Sequence, residues 1–125
     1  MKTIEYEGKK LNFDFGLGTI NDVYVKEFGG NFEDLVNIEQ FQSDTSKIIE
    51  ITRDMLLSGH IYYLFVSGEE EKAEELLAKK KSSRMIATKW VEKMGLIQAL
   101  NFIGESMQPS EVEQPQVANT TKKKK

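Results

Sequence analysis

Two periodicities divide the chain. Ile4 and Tyr6, then Leu11, Phe13 and Phe15, alternate with polar residues, the period of two that marks half-buried strands. Glu7-Gly8-Lys9-Lys10 lies between the two runs, and glycine there supplies the backbone angles a tight turn needs. The pattern predicts a hairpin over 4–15 with Ile4, Tyr6, Leu11, Phe13 and Phe15 on one face. A two-stranded ribbon is marginal alone, so this face must pack on something. From Leu17 onward the apolar spacing becomes three and four, the period of helices.

Leu17, Ile20, Tyr24 and Phe28, widened by Val23, trace a first helical face that Gly29-Gly30 ends. Asn31 is placed to cap a second helix over 32 to about 41, with Leu35, Ile38 and Phe41 buried. Asp44 or Thr45 caps a long central helix over 46–67. Its main stripe is Ile48, Thr52, Met55, Gly59, Tyr62 and Val66, and the dense apolar content of 55–66 predicts burial on several sides. The run IYYLFV has the composition of a strand, but the helical period continues unbroken from Ile48. Gly59 costs about 1 kcal/mol of helix propensity relative to Ala and lets a neighbour approach closely.

Ser67-Gly68 stops the central helix. EEEKAEELLAKKK then reads as a surface helix, acids first and Lys79, Lys80 and Lys81 last, as the helix dipole favours. Ser82 or Ser83 caps the final helical region. Its stripe is Ile86, Trp90, Met94, Ile97, Leu100, Ile103 and Met107, broken near Met94-Gly95. The stretch 108–125 is polar, holds both prolines and has no period, which predicts a disordered tail. The expected fold is mainly α: one domain over 1–107, an N-terminal β-hairpin followed by a compact bundle of about five to six helices.

Composition narrows the chemistry. The chain has 125 residues and no Cys, which excludes disulfide and thiolate–metal chemistry within it. MKTIEYEGKK lacks the apolar core of a signal peptide, and the run 61–66 is too short to span a bilayer. The expected compartment is the cytoplasm. Net charge is −3. Residues 1–107 hold 13 Lys or Arg and 18 Asp or Glu, hence −5, while 108–125 hold four Lys and two Glu, hence +2. An acidic body is a poor generic partner for nucleic acid.

No catalytic constellation emerges. His60 is the only imidazole and has no second histidine or cysteine with which to share a metal, so it reads as a packed helix residue. Asp44, Glu50 and Asp54 read as solvated helix faces rather than paired acids. GLGT at 16–19 lacks both the third glycine and the Gly-Lys ending of phosphate loops, and ends a strand more simply. Lys79, Lys80 and Lys81 with Arg84 form the basic patch of the body, without the interleaved aromatics of a nucleic-acid surface. No cofactor and no metal are expected, and the chain reads as a non-enzymatic binding protein.

The last helical region is richer in large apolar residues than a small core needs. Trp90, Leu96, Ile97, Phe102, Ile103 and Met107 are therefore the candidate partner-binding residues. Phe32, Leu35 and Phe41 form a second candidate patch. Self-association is a further use of such surfaces.

The opening TIEYEGKKLNFDFGLGTINDV, above all Tyr6-Glu7-Gly8-Lys9 through Phe13-Asp14-Phe15-Gly16, resembles that of the small tail assembly chaperones of long-tailed bacteriophages and prophages. The resemblance covers 2–107, the helical remainder by length and rhythm. It implies a hairpin followed by a helical body, without catalysis. It also implies binding of the tape measure protein before the tail tube forms, with the tail tube protein as a second partner. Such a chaperone works in the cytoplasm of the bacterial host and is absent from the mature virion. Only the Gly8 turn and the Gly16 start of the helix carry over, and both are structural. The alternatives are a structural or adaptor component retained in a phage particle, and a regulator using the lysines of 122–125 on nucleic acid.

Overall fold

The computed structural model describes residues 2–107; the tail expected over 108–125 lies outside the described residues. The architecture is an N-terminal antiparallel hairpin followed by a helical bundle. Strands β1 (Lys2–Tyr6) and β2 (Lys9–Phe13) pair with Ile4 opposite Leu11 and Tyr6 opposite Lys9. Glu7 and Gly8 alone form the turn, at φ of 52° and 77°, the doubly left-handed geometry that matches strand twist. Lys9 and Lys10 already belong to β2, so the turn is tighter than the four-residue joint expected. Phe13 ends the ladder, and Phe15 lies just beyond it.

A π-helix, Thr19–Val25, continues as α1 (Lys26–Phe28). Ile20, Val23, Tyr24 and Phe28 are buried, but Leu17 is 83% exposed. Leu17 and Gly18 are already helical, but the wider winding that begins at Thr19 shifts the phase of the face, so Leu17 leaves the predicted stripe. Gly29, at φ 70°, ends α1. Its N–H donates to the Val25 carbonyl, the single bond of an αL cap, and the Gly30 N–H donates to the Tyr24 carbonyl, which satisfies two of the last carbonyls.

The side chain of Asn31 accepts from the Glu33 N–H at 2.8 Å and caps α2 (Phe32–Val36). The helix expected to reach 41 breaks at Asn37, a weak helix former, and Ile38–Phe41 forms a 3-10 turn. Leu35, Ile38 and Phe41 are half-buried, whereas Phe32 and Val36 are exposed. Asp44 caps α3 (Thr45–Val66) by accepting from the Lys47 N–H.

Helix α3 is the axis of the bundle. It is helical throughout IYYLFV and buries Ile51, Met55, Leu56, Leu57, Ile61 and Leu64. Strand β2, the π-helix, α4 (Glu70–Ala78), α5 (Lys80–Met94) and α6 (Leu96–Met107) all pack on it. Gly95, at φ 87°, separates α5 from α6 where the spacing predicted a break.

The α4–α5 boundary departs from expectation. The chain breaks at Lys79, so Lys80 and Lys81 open α5, the end of a helix whose dipole disfavours cations. Ser83 is no cap: it is buried inside α5, and its hydroxyl donates to the Leu76 carbonyl at 2.8 Å. The buried side of α5 is Ser83, Ala87, Trp90 and Val91, which turns Ile86 outward.

The hairpin is anchored where it leaves the sheet. The Phe15 ring lies over Gly59 so closely that a Cβ at that position would overlap it. The Asp14 N–H donates to the Gly59 carbonyl at 3.1 Å. Gly59→Ala gains about 1 kcal/mol of helix propensity but overpacks the Phe15 seat, at a cost of about 1–3 kcal/mol. The expected outcome is net destabilisation by about 1 kcal/mol in urea unfolding. In a Phe15→Ala background the same change becomes neutral or stabilising, and additive costs in the double variant would contradict this seat.

Candidate binding surface

Five rings join the hairpin to the helices. Phe13 is fully buried, worth roughly 2–3 kcal/mol of apolar transfer. Phe15 stacks on it at 5.8 Å, and Trp90 of α5 and Phe102 of α6 meet it edge-on at 5.8 and 5.4 Å. His60 of α3 lies 5.7 Å from Phe13 and meets Trp90 edge-on at 5.5 Å. Tilted and edge-on contacts are the favoured aromatic geometries. One residue from the hairpin thus gathers α3, α5 and α6.

This cluster decides the fate of the predicted partner residues. Trp90 is only 4% exposed, and Ile103 is likewise buried in the core. A partner docking on the folded chain reaches neither, because Phe13 and the core behind it occupy them. Leu96 and Phe102 are half-buried against the same core. Ile97, by contrast, is 72% exposed. Met107 is the last residue of α6. The six residues therefore form no single patch: the structure buries Trp90 and Ile103 in the core, packs Leu96 and Phe102 half-buried against it, and leaves Ile97 outside.

The apolar side chains open to solvent are mostly elsewhere. Met85 and Ile86 stand on the outer side of α5, Phe32 and Val36 on α2, Val66 at the end of α3 and Leu17 before the π-helix. Of these, Phe32 belongs to the second candidate patch, Leu17, Val66 and Ile86 leave the helical stripes expected to be buried, and Met85 and Val36 lie outside every expected face. The signal for Met85 was available: it sits half a turn from Ala87, which a helix of this composition buries as readily as Ile86. A shallow apolar groove of about 330 Å³ lies between the π-helix, α3 and α4, lined by Val23, Tyr62, Phe65 and Leu77 with Asp22 and Glu27 at its rim.

Two polar sites were hidden from the sequence. Asp54, read there as a solvated acid, is buried. Arg84 donates to both its carboxylate oxygens at 3.2 and 3.3 Å and to the Phe28 carbonyl at 3.2 Å, while Arg53 donates to Oδ1 at 2.9 Å. Arg84 is thus no free cation of a basic patch; it ties α5 to α3 and caps the end of α1, with its guanidinium 5.2 Å from the Phe28 ring centre. A cavity of about 310 Å³ beside this pair is lined by three acids and three bases, Asp34, Glu50 and Asp54 against Lys47, Arg53 and Arg84. These charges balance, and Lys47 pairs with Asp34 at 3.8 Å. Burial, with the charges of Asp54 and Asp34, pushes the Tyr24 hydroxyl up to about 12, so it stays protonated at neutral pH.

His60 is the second. Its Nδ1 lies 2.8 Å from the Asn12 carbonyl. A carbonyl only accepts, so Nδ1 carries the proton and donates. Burial lowers the imidazole pKa below its ordinary 6.5, against the opposing pull of the Asn12 carbonyl and Glu69. The cavity beside it, about 480 Å³, is faced by Lys10, Glu69, Lys72 and Glu75. Among the described residues no three His, Cys, Asp or Glu side chains converge as a metal site would require, and no helix is long and apolar enough to cross a membrane.

Comparison with known proteins returns nothing: no family model, curated protein or solved structure matches this chain.

The lowered His60 pKa has a signed consequence. The folded state holds the imidazole neutral at pH values where the unfolded chain binds a proton, so stability is complete above about pH 6.5 and is lost as pH falls through 6.5 toward the folded value. Urea unfolding at about pH 7.5 and about pH 5 should show a larger acid loss for the wild type than for His60→Gln. An equal loss in both proteins would show that His60 does not supply it.

Proposed function

We propose that this chain is a non-enzymatic binding protein that acts as a chaperone for the tape measure protein during phage tail assembly, in the cytoplasm of the bacterial host. Two observations support the reading. The hairpin-plus-helical-body fold is the architecture implied by the resemblance of the N-terminal segment. The single observation that carries a binding role is the set of large apolar side chains left in solvent on a small body, Leu17, Ile97 and Met85 the most exposed. Singly, exposed apolar residues are ordinary. Here the core has already taken Trp90 and Ile103, and the body still presents Met and Ile outward, of which Met serves adaptable protein contacts. The partner such a surface suits is a long, apolar helical protein that is insoluble until it is encased.

The test is co-expression with the tape measure protein of the same tail gene cluster, followed by pull-down and measurement of soluble partner. The tape measure protein is expected in the soluble fraction only with this chain. Ile97→Asp, at a position too exposed to unfold the domain, lowers the recovered complex roughly tenfold, the effect of losing an interface anchor, with an unchanged circular dichroism spectrum. A partner whose solubility is the same with and without the chain would overturn the reading. Recovery of the chain in finished particles at fixed stoichiometry would replace it with a structural or adaptor role.

A further inference from the structure

Helix α5 concentrates positive charge on an acidic body. It carries Lys80, Lys81, Arg84, Lys89 and Lys93 against Glu92 alone, a balance of +4 on a body whose 13 cations and 18 anions give −5. Two of these cations are committed to the fold: Arg84 to Asp54 and Phe28, and Lys80 to Glu27 at 3.6 Å. Lys81, Lys89 and Lys93 are exposed. They flank Met85 and Ile86, which are 64% and 48% exposed. Spacings of three and four residues place Lys81 and Met85, Met85 and Lys89, and Ile86 and Lys89 one turn apart, away from the buried Ser83, Ala87, Trp90 and Val91. The face thus reads cation, apolar pair, cation, acid, cation over about 18 Å of helix, with Glu92 two turns beyond Met85 and a net charge of +2. Lys89 lies 3.5 Å from Glu92 in an exposed pair, a contact weak enough to be exchanged for a better one.

We propose that this face docks an acidic amphipathic helix of a partner protein, its apolar residues seated on Met85 and Ile86 and its carboxylates reaching Lys81, Lys89 and Lys93. The inference rests on the reading of the chain as a partner-binding protein and adds the surface and the charge of the segment bound. Charge complementarity selects the occupant. Cations bordering an apolar pair match a helix whose acids border its own apolar stripe, and the matched signs also speed encounter. The face carries no aromatic ring on which bases would stack. Two apolar side chains without Trp, Phe or Leu offer too little area to hold a helix in a lipid interface. Met is the side chain that adapts to a partner's shape.

The experiment titrates the full chain against a fluorescein-labelled synthetic helix of about fifteen residues, with a Leu pair flanked by Glu one turn away on each side. Three controls replace its Glu by Lys, its Leu by Ala, or the peptide by a single-stranded oligonucleotide. Fluorescence anisotropy should show binding of the acidic, Leu-bearing peptide that weakens with salt. The double variants Met85→Ser with Ile86→Ser and Lys89→Glu with Lys93→Glu should each weaken it at least tenfold, with unchanged unfolding midpoints. The triple variant Lys81→Glu, Lys89→Glu, Lys93→Glu should prefer the Lys-bearing peptide. Absence of binding, equal binding of the Leu-to-Ala peptide, or tighter binding of the oligonucleotide would each overturn the proposal. Retention of the tape measure protein by both double variants would overturn this face alone and leave the chaperone reading standing. Peptide binding by a chain that fails to retain the tape measure protein would leave the face standing and remove the proposed partner.

Discussion

The seat of Phe15 on Gly59 is the contact on which the rest of the structure depends. A hairpin of five-residue strands has too little surface to hold itself, and α3 alone cannot bury all its apolar sides. At Gly59 the missing side chain opens a notch in α3. Phe15 fills that notch, the Asp14 amide bonds to the Gly59 carbonyl, and His60 on the next position donates to Asn12. Three residues at the hairpin's exit are thereby fixed against two consecutive residues of one helix. The conformational cost of glycine within a helix, about 1 kcal/mol, is offset by this approach.

The same seat governs the allocation of apolar residues. Once Phe13 is fixed beside α3, its ring needs neighbours, and Trp90 and Phe102 supply them edge-on. That consumes the two aromatic side chains best suited to be interface anchors. It also sets the rotation of α5: with Trp90, Ala87 and Ser83 inward, Met85 and Ile86 face solvent between lysines. The ion pair of Arg84 with Asp54 reinforces the same rotation from the side. The surface left for a partner is thus a consequence of how the hairpin is packed.

The elements legible in the sequence were those governed by local chemistry. The Gly8 turn, the Gly29-Gly30 stop, the Asn31 and Asp44 caps and the Gly95 break each rest on one residue's backbone preference or hydrogen bond. The burial of 55–65 followed from density of apolar residues rather than from choosing a face, while Val66, expected on the buried stripe, is exposed at the helix end. Where two faces of a helix satisfied the same period, tertiary packing decided. On α5 the small Ser83 and Ala87 are inside and Ile86 is out, because the close contact with α3 and α4 admits small residues. Asp54 looked solvated because its partner Arg84 is thirty positions away. The break at Lys79 has no glycine or proline to announce it, so Lys80 and Lys81 were assigned to the wrong helix end. Of the candidate partner residues, Ile97 kept a place on the surface while Trp90 and Ile103 did not, for the same reason.

Native-state hydrogen exchange of the Asp14 amide tests the central claim most directly. If the hairpin's exit is locked into α3 at Gly59, this amide exchanges only when the whole domain unfolds, with an opening free energy equal to that from urea denaturation. Its loss of protection should then follow the same denaturant dependence as the amides of Leu56 and Leu57 in the buried middle of α3. Exchange of Asp14 as rapid as that of Gly8 at the hairpin tip would contradict the account, since the hairpin would then open independently of the bundle.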